Sequence, residues 1–148
     1  MKWAGKRMSH TLGDCQPAPR DILRLLAACG MGNEENAAEY VDLSYKLRHG
    51  ILRAVGFADG TGTLQSCAMT VAESDDTAVI GGVATDAGMR GRGFAGMLVT
   101  TLAERLEEEG KSPYLFCENR FVPFYEKHGF YVAGYWQQSG IAVTRGRG

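Results

Sequence analysis

Apolar side chains recur at every fourth position through Phe94, Leu98, Leu102 and Leu106, a spacing that stacks them along one side of a helix. The pattern predicts a helix over Phe94–Glu109, closed by Gly110 and Pro113. An earlier helical stretch starts at Pro19, where Ile22, Leu23, Leu25 and Leu26 cluster on one side and Gly30 stops the run. Asn33 is placed to cap a further helix of about four turns that carries Tyr40, Val41, Leu43, Tyr45 and Leu47 and ends at Gly50. The period then shortens to two. Ile51–Ala58, Leu64–Glu73 (with Cys67, Met69 and Val71 alternating on one face) and Thr77–Thr85 read as strands. The turns Asp59-Gly60-Thr61-Gly62 and Ser74-Asp75-Asp76 join them into an antiparallel meander. Past the long helix, Tyr114–Cys117 reads as a short buried strand, Phe121–His128 as two helical turns stopped by Gly129, and Phe130–Trp136 as a final strand. Residues 1–18 show no clean periodicity and read as a loose arm or one poor strand. The order of elements gives an α+β domain with a mixed sheet.

Composition narrows the function classes. A chain of 148 residues makes one domain. A formal net charge of -1 gives no global attraction to nucleic acid or to an anionic membrane, so neither is expected as a partner and any anion site must be local. The apolar runs are too short for a membrane span, and Met1-Lys2-Trp3-Ala4-Gly5 is not the expected start of a signal peptide. Cys15, Cys29, Cys67 and Cys117 are scattered, with no C-x-x-C pair and no histidine close by in sequence. The expectation is therefore reduced thiols in a cytoplasmic protein, with neither a metal site nor a disulfide framework.

One segment carries candidate chemistry. Arg90-Gly91-Arg92-Gly93-Phe94-Ala95-Gly96 leads into the strongest helix. Its glycines let backbone N–H groups converge where the helix amino terminus adds partial positive charge, and two arginines flank the cradle. That chemistry suits a phosphate. Gly91-x-Gly93-x-x-Gly96 also satisfies the dinucleotide fingerprint, with Glu118 22 residues beyond Gly96. Against a nicotinamide dinucleotide stand the four residues Asp86-Ala87-Gly88-Met89 between strand and loop, the antiparallel strands before it, and too short a chain after it for two mononucleotide-binding halves. A nucleoside triphosphate loop is excluded because no Gly-Lys-Ser/Thr follows.

The run from Val83 to Ala95 resembles the signature of the GNAT acyltransferases, in which a strand and a short loop lead to Gln/Arg-x-x-Gly-x-Gly/Ala at a helix start. Arg90, Gly93 and Ala95 meet that pattern. A second block, Phe124-Tyr125-Glu126-Lys127-His128-Gly129-Phe130, resembles the late Tyr-Glu-Lys-x-Gly-Phe segment of the same superfamily. The resemblance implies a largely antiparallel sheet flanked by helices and splayed at its central strands, with acetyl-CoA in the splay as co-substrate. Backbone groups of Val83, Ala84 and Thr85 would pair with pantetheine, and the N–H groups of Gly91, Arg92, Gly93, Phe94, Ala95 and Gly96 would hold the pyrophosphate. Arg90 and Arg92 would add charge there, and Asn119 would touch the cofactor arm. This Asn stands six residues before Tyr125 where the family usually has seven, Ala87 replaces a common proline, and no clear first strand precedes Pro19.

The implied reaction is direct acetyl transfer to a primary amine, on a small molecule or a peptide. Its amine must shed a proton, which costs about 4–5 kcal/mol for an alkylammonium at neutral pH. By resemblance, Tyr125 is the general acid facing the departing sulfur. Glu118 and Glu73, each at a strand end, are the candidates for the base, with Glu118 preferred. His128 is expected to pack near its helix end and Cys117 to be a buried core thiol. Tyr40 and Tyr45 either border the acceptor or pack the core. A non-catalytic acyl-CoA-binding module is the main rival reading, and a homodimer is left open.

Overall fold

The computed structural model describes residues 16–31, 35–135 and 141–145. Helix α1, Pro19–Ala28, starts with its proline in the first turn, where the missing N–H costs nothing. Helix α2, Ala37–Arg48, is capped by Asn36, whose side chain accepts from the N–H groups of Ala38 and Glu39 at 3.0 and 3.3 Å. The expected cap, Asn33, lies outside the described residues.

Strand β1 covers Ala54–Ala58 and not the whole of Ile51–Ala58. The reason is local: the N–H groups of Ile51 and Leu52 both turn back to the Lys46 carbonyl and close α2. Strands β2, Leu64–Glu73, and β3, Thr77–Thr85, have the expected bounds and complete the meander. Ser66 through Thr70 are all buried, so mid-β2 is covered on both faces, not only on the side of Cys67 and Met69. Val71, on the face of those two, is half exposed.

A 3₁₀ turn over Ala87–Met89 leads to helix α3, Phe94–Glu108. Strand β4, Ser112–Cys117, follows, then a 3₁₀ turn at Asn119–Phe121, helix α4, Val122–Glu126, and strand β5, Phe130–Tyr135. Strand β6, Ile141–Arg145, has no counterpart in the sequence reading. It lies between β4 and β5, antiparallel to both, in a six-stranded sheet ordered β1-β2-β3-β4-β6-β5. Among the described residues the one parallel pair is β3 with β4.

Two cores lie on the two faces of the sheet. Leu98, Val99, Leu102 and Leu106 of α3, all fully buried, meet Val55, Ile80, Leu115, Phe130 and Val143. On the other face Ile22, Leu25, Leu43 and Leu47 from α1 and α2 meet Cys67, Met69 and Ala84.

The sheet opens at its centre. Parallel pairing of β3 and β4 runs from Thr77–Ser112 to Ile80–Leu115, although β3 continues to Thr85 and β4 to Cys117. The departure follows a bulge on β3. Between the pairs Met69–Gly81 and Cys67–Ala84, β3 spends one residue more than β2, and Gly82 takes a φ of 57° within it. An extra residue there bends β3 away from its parallel neighbour.

Candidate active site

The divergence of β3 and β4 leaves a groove with two limbs. The larger limb, about 700 Å³, runs past Val83, Ala84 and Thr85 to Arg90 and Ala95 at the start of α3. The second, about 480 Å³, runs along Gly81, Gly82, Leu115 and Phe116. Met31, Val83, Glu118, Phe121 and Tyr125 line both and mark their junction.

At the far end of the larger limb, Gly91 and Gly93 take φ values of 82° and 84°, the left-handed region that glycine enters freely. Gly93 opens α3 with no side-chain cap, and the first intrahelical bond runs from Met97 N–H to the Gly93 carbonyl at 3.1 Å. The N–H groups of Phe94, Ala95 and Gly96 thus belong to the uncompensated first turn, a donor set that fits a diphosphate. The Phe94 ring is buried and stacks on Phe57 at 4.4 Å, which fixes the helix start against β1. Arg92 is exposed.

Gly96 has a packing reason of its own. A Cβ there would lie 2.3 Å from His128 Nε2. His128 packs on the edge of the Phe124 ring at 5.0 Å and lies within reach of Thr100 Oγ1, so the histidine packs near the end of α4 as the sequence suggests.

Arg90 folds inward. Its Nε donates to the Thr85 carbonyl at 3.1 Å, and the Cys29 thiol donates to the same oxygen at 3.4 Å. Asp86 N–H bonds to Gln65 O on the β2 side, so by strand alternation Thr85 turns its own backbone groups toward the open side of β3.

Tyr125 is half buried, with Phe124 and Phe130 rings at 5.0 and 5.8 Å. Burial, with a smaller contribution from the Cys117 thiol, pushes its hydroxyl up to about 12, so it holds its proton across the physiological range. Cys117 is only half buried in the groove wall, not a buried core thiol, and desolvation raises its pKa. Glu118 is 65% exposed and pairs with Arg120 at 3.2 Å. Asn119 begins the 3₁₀ turn and is exposed; Arg120 and Phe121, beside it, line the groove.

Glu73 belongs elsewhere. It sits where β3 and β4 begin, opposite the splay, with Arg53 and Lys111 each at 2.8 Å and the Thr70 hydroxyl at 2.7 Å. Burial raises its pKa, but the three hydrogen bonds and the Arg53 charge outweigh that and bring it to about 2. Such a carboxylate is an ion-pair partner and a poor base. Glu109, at the carboxyl end of α3, accepts from Arg53 at 2.8 Å in the same network. Tyr40 packs on the second core under Arg20, whereas Tyr45 is half exposed beside His49 and packs no core. Phe121 and Met31 are groove residues that the sequence reading passed over; the apolar Phe121-Val122-Pro123-Phe124 run was a signal for Phe121, and Met31, between two glycines, had none.

Among the described residues no group of three or more His, Cys, Asp or Glu is placed to hold a metal ion, and no helix is long and apolar enough to cross a membrane. Known proteins give a consistent family. The fold matches glucosamine-6-phosphate N-acetyltransferase from Arabidopsis thaliana at a TM-score of 0.71 and 16% identity, over 83% of this chain and 93% of that one. It also matches an acetyltransferase of Trypanosoma brucei (TM-score 0.69, 21% identity, 81% and 90% covered). An aminoglycoside 6'-N-acetyltransferase solved with coenzyme A matches at 0.66 and 14% identity, with 85% and 89% covered. These likenesses carry the fold alone. A search of curated proteins returns no significant match. The model of the Acetyltransferase (GNAT) family matches residues 20–130, most of the chain and both sequence blocks. The chain therefore belongs to the GNAT acetyltransferase family and is an acyltransferase.

Proposed function

We propose that the protein moves an acetyl group from acetyl-CoA to a primary amine by direct transfer. One observation carries the reading: an uncapped helix start opened by left-handed glycines leads, along a strand edge that β4 leaves unpaired, to a tyrosine that stays protonated. Acetyl-CoA would supply an acyl group activated as a thioester. The N–H groups at the start of α3 suit its diphosphate, with Arg90 and Arg92 adding positive charge. The exposed edge of β3 at Val83–Thr85 suits the amides of the pantetheine arm. The Thr85 carbonyl is already shared by Arg90 and Cys29, so pairing there requires Arg90 to swing out toward the loop, where its charge is wanted.

Tyr125 is the acid in this reading. Its proton goes to the thiolate sulfur as the acyl carbon is transferred, and its raised pKa means that the hydroxyl is protonated when the reaction begins. Glu118 at the junction receives the proton lost by the amine, directly or through water. Fixed positions for both groups turn an encounter of two solutes into a reaction within one groove.

Calorimetric titration with acetyl-CoA, with CoA and NAD as controls, tests the donor. Micromolar affinity for acetyl-CoA is expected, and Gly93→Glu should weaken it by about tenfold or more, because a carboxylate enters the anion cradle and a side chain enters left-handed backbone. Preference for NAD, or no binding to a folded sample, overturns the proposal.

A further inference from the structure

The limb along Gly81, Gly82 and Phe116 differs in chemistry from the limb that ends at α3. Three large apolar side chains surround its opening: Met31 is 39% exposed, Phe116 48% and Phe121 42%. They come from separate parts of the chain, the end of α1, strand β4 and the turn before α4, and converge on one space. Strand alternation explains the middle one. Leu115 and Phe130 point into the α3 core, so Phe116 and Tyr131 occupy the opposite face, where both remain about half exposed. Gathered exposed side chains of this size mark a binding surface.

Charge on this limb is sparse. Among the described residues that line it there is no basic side chain, and Glu118 is the single carboxylate. Glu118 is moreover paired with Arg120, whose guanidinium also lies over the Phe121 ring at 4.6 Å. A polyamine or an aminoglycoside would bring several ammonium groups to one compensated carboxylate. A sugar phosphate would bring an anion to a wall whose nearest cation, Arg120, is already paired with Glu118. An amine with one charge on an aromatic body meets neither obstacle. Apolar walls would also lower the pKa of its ammonium and favour the neutral nucleophile.

Resting on the acetyl-transfer reading above, we propose that the acceptor is a small arylalkylamine: one primary amine on a short arm, with its ring against Phe116, Phe121 and Met31. The amine would reach the junction between Tyr125 and Glu118 while the ring fills the apolar limb.

The test measures acetylated product by mass spectrometry, at saturating acetyl-CoA, with 2-phenylethylamine, spermidine and glucosamine 6-phosphate. The expected kcat/KM for 2-phenylethylamine exceeds the other two by about a hundredfold, because they leave charges unpaired in the site. Phe116→Ser and Phe121→Ser, both at exposed positions, should each raise its KM by about tenfold through lost apolar contact. Phe116→Ser, which alters only the apolar limb, should leave acetyl-CoA affinity unchanged by calorimetry, and Phe116→Leu should restore most of the loss. Equal or better turnover of spermidine or glucosamine 6-phosphate overturns the acceptor class. So does absence of 2-phenylethylamine product while acetyl-CoA binds, and both results leave the donor reading standing. Failure to bind acetyl-CoA removes the donor reading and this proposal with it.

Discussion

Gly96 and Tyr125 make different demands on the same stretch of the fold. At Gly96 the constraint is space, since the His128 imidazole fills the volume a methyl group would need. Gly96→Ala should therefore destabilise the protein by about 1–3 kcal/mol in denaturant unfolding. Adding His128→Ala should recover most of that loss; an unrepaired double variant would mean that the helix start itself requires glycine. At Tyr125 the constraint is a proton. Tyr125→Phe should lower kcat by about a hundredfold while leaving acetyl-CoA affinity unchanged, since only the hydroxyl is lost. The pKa gives a second readout. Folding raises it from the model-peptide value of 10.0 to about 12, so kcat should show no decline near pH 10 attributable to this group. The unfolded chain releases the proton across that interval and the folded chain does not, so stability falls as pH rises from 10 to about 12. A tyrosine absorbance titration with a midpoint near 10 for this residue would contradict the burial argument.

Elements differ in how much of themselves the sequence discloses. Helix α3 was legible because its fully buried Leu98, Leu102 and Leu106 repeat at the helical spacing, and the glycine loop was legible because glycines before such a helix have few other uses. Strands β2 and β3 were legible because short polar turns bound them. Strand β6 was not. Ile141–Arg145 is five residues long, and it is a strand because β4 and β5 provide ladders on both sides, information that comes from distant segments. The start of α2 was misjudged by three residues because two asparagines, Asn33 and Asn36, are equally good caps in sequence. In the site, Tyr125, Glu118 and Val83 were recognised as candidates and do line one groove. Met31 and Phe121 were missed because an apolar residue near a turn, alone or at the head of a short apolar run, looks the same whether it faces a core or a groove.

Across the whole molecule, charge has been spent on holding elements together at the end of the sheet away from the groove. Arg53 bridges Glu73 and Glu109, and Lys111 reaches Glu73 as well, which ties β1, β2 and the end of α3 into one cluster. Glu73→Ala would strand Arg53 and Lys111 and should cost about 2–3 kcal/mol, less than for a fully buried pair because Arg53 retains water contact. The pH dependence has a definite sign. Glu73 titrates at 4.5 as a free side chain and at about 2 when folded, so its contribution is present above 4.5 and is lost as pH falls toward 2. The Glu73→Ala protein should lose stability over that window less steeply, as unfolding midpoints at successive pH values would register.

The short parallel seam between β3 and β4 has a mechanical consequence. Four paired positions, Thr77 to Ile80 against Ser112 to Leu115, are the backbone zipper between a three-stranded leaf and its three-stranded counterpart, with α3 packed across both like the spine of a book. Along the seam the ladder is closed; above it, among the described residues, β3 and β4 are not paired. A long ligand lying in the gap would touch both leaves at once and act as a rivet. Amide protection would then rise on β3 and β4 together when it binds, including at residues it never touches.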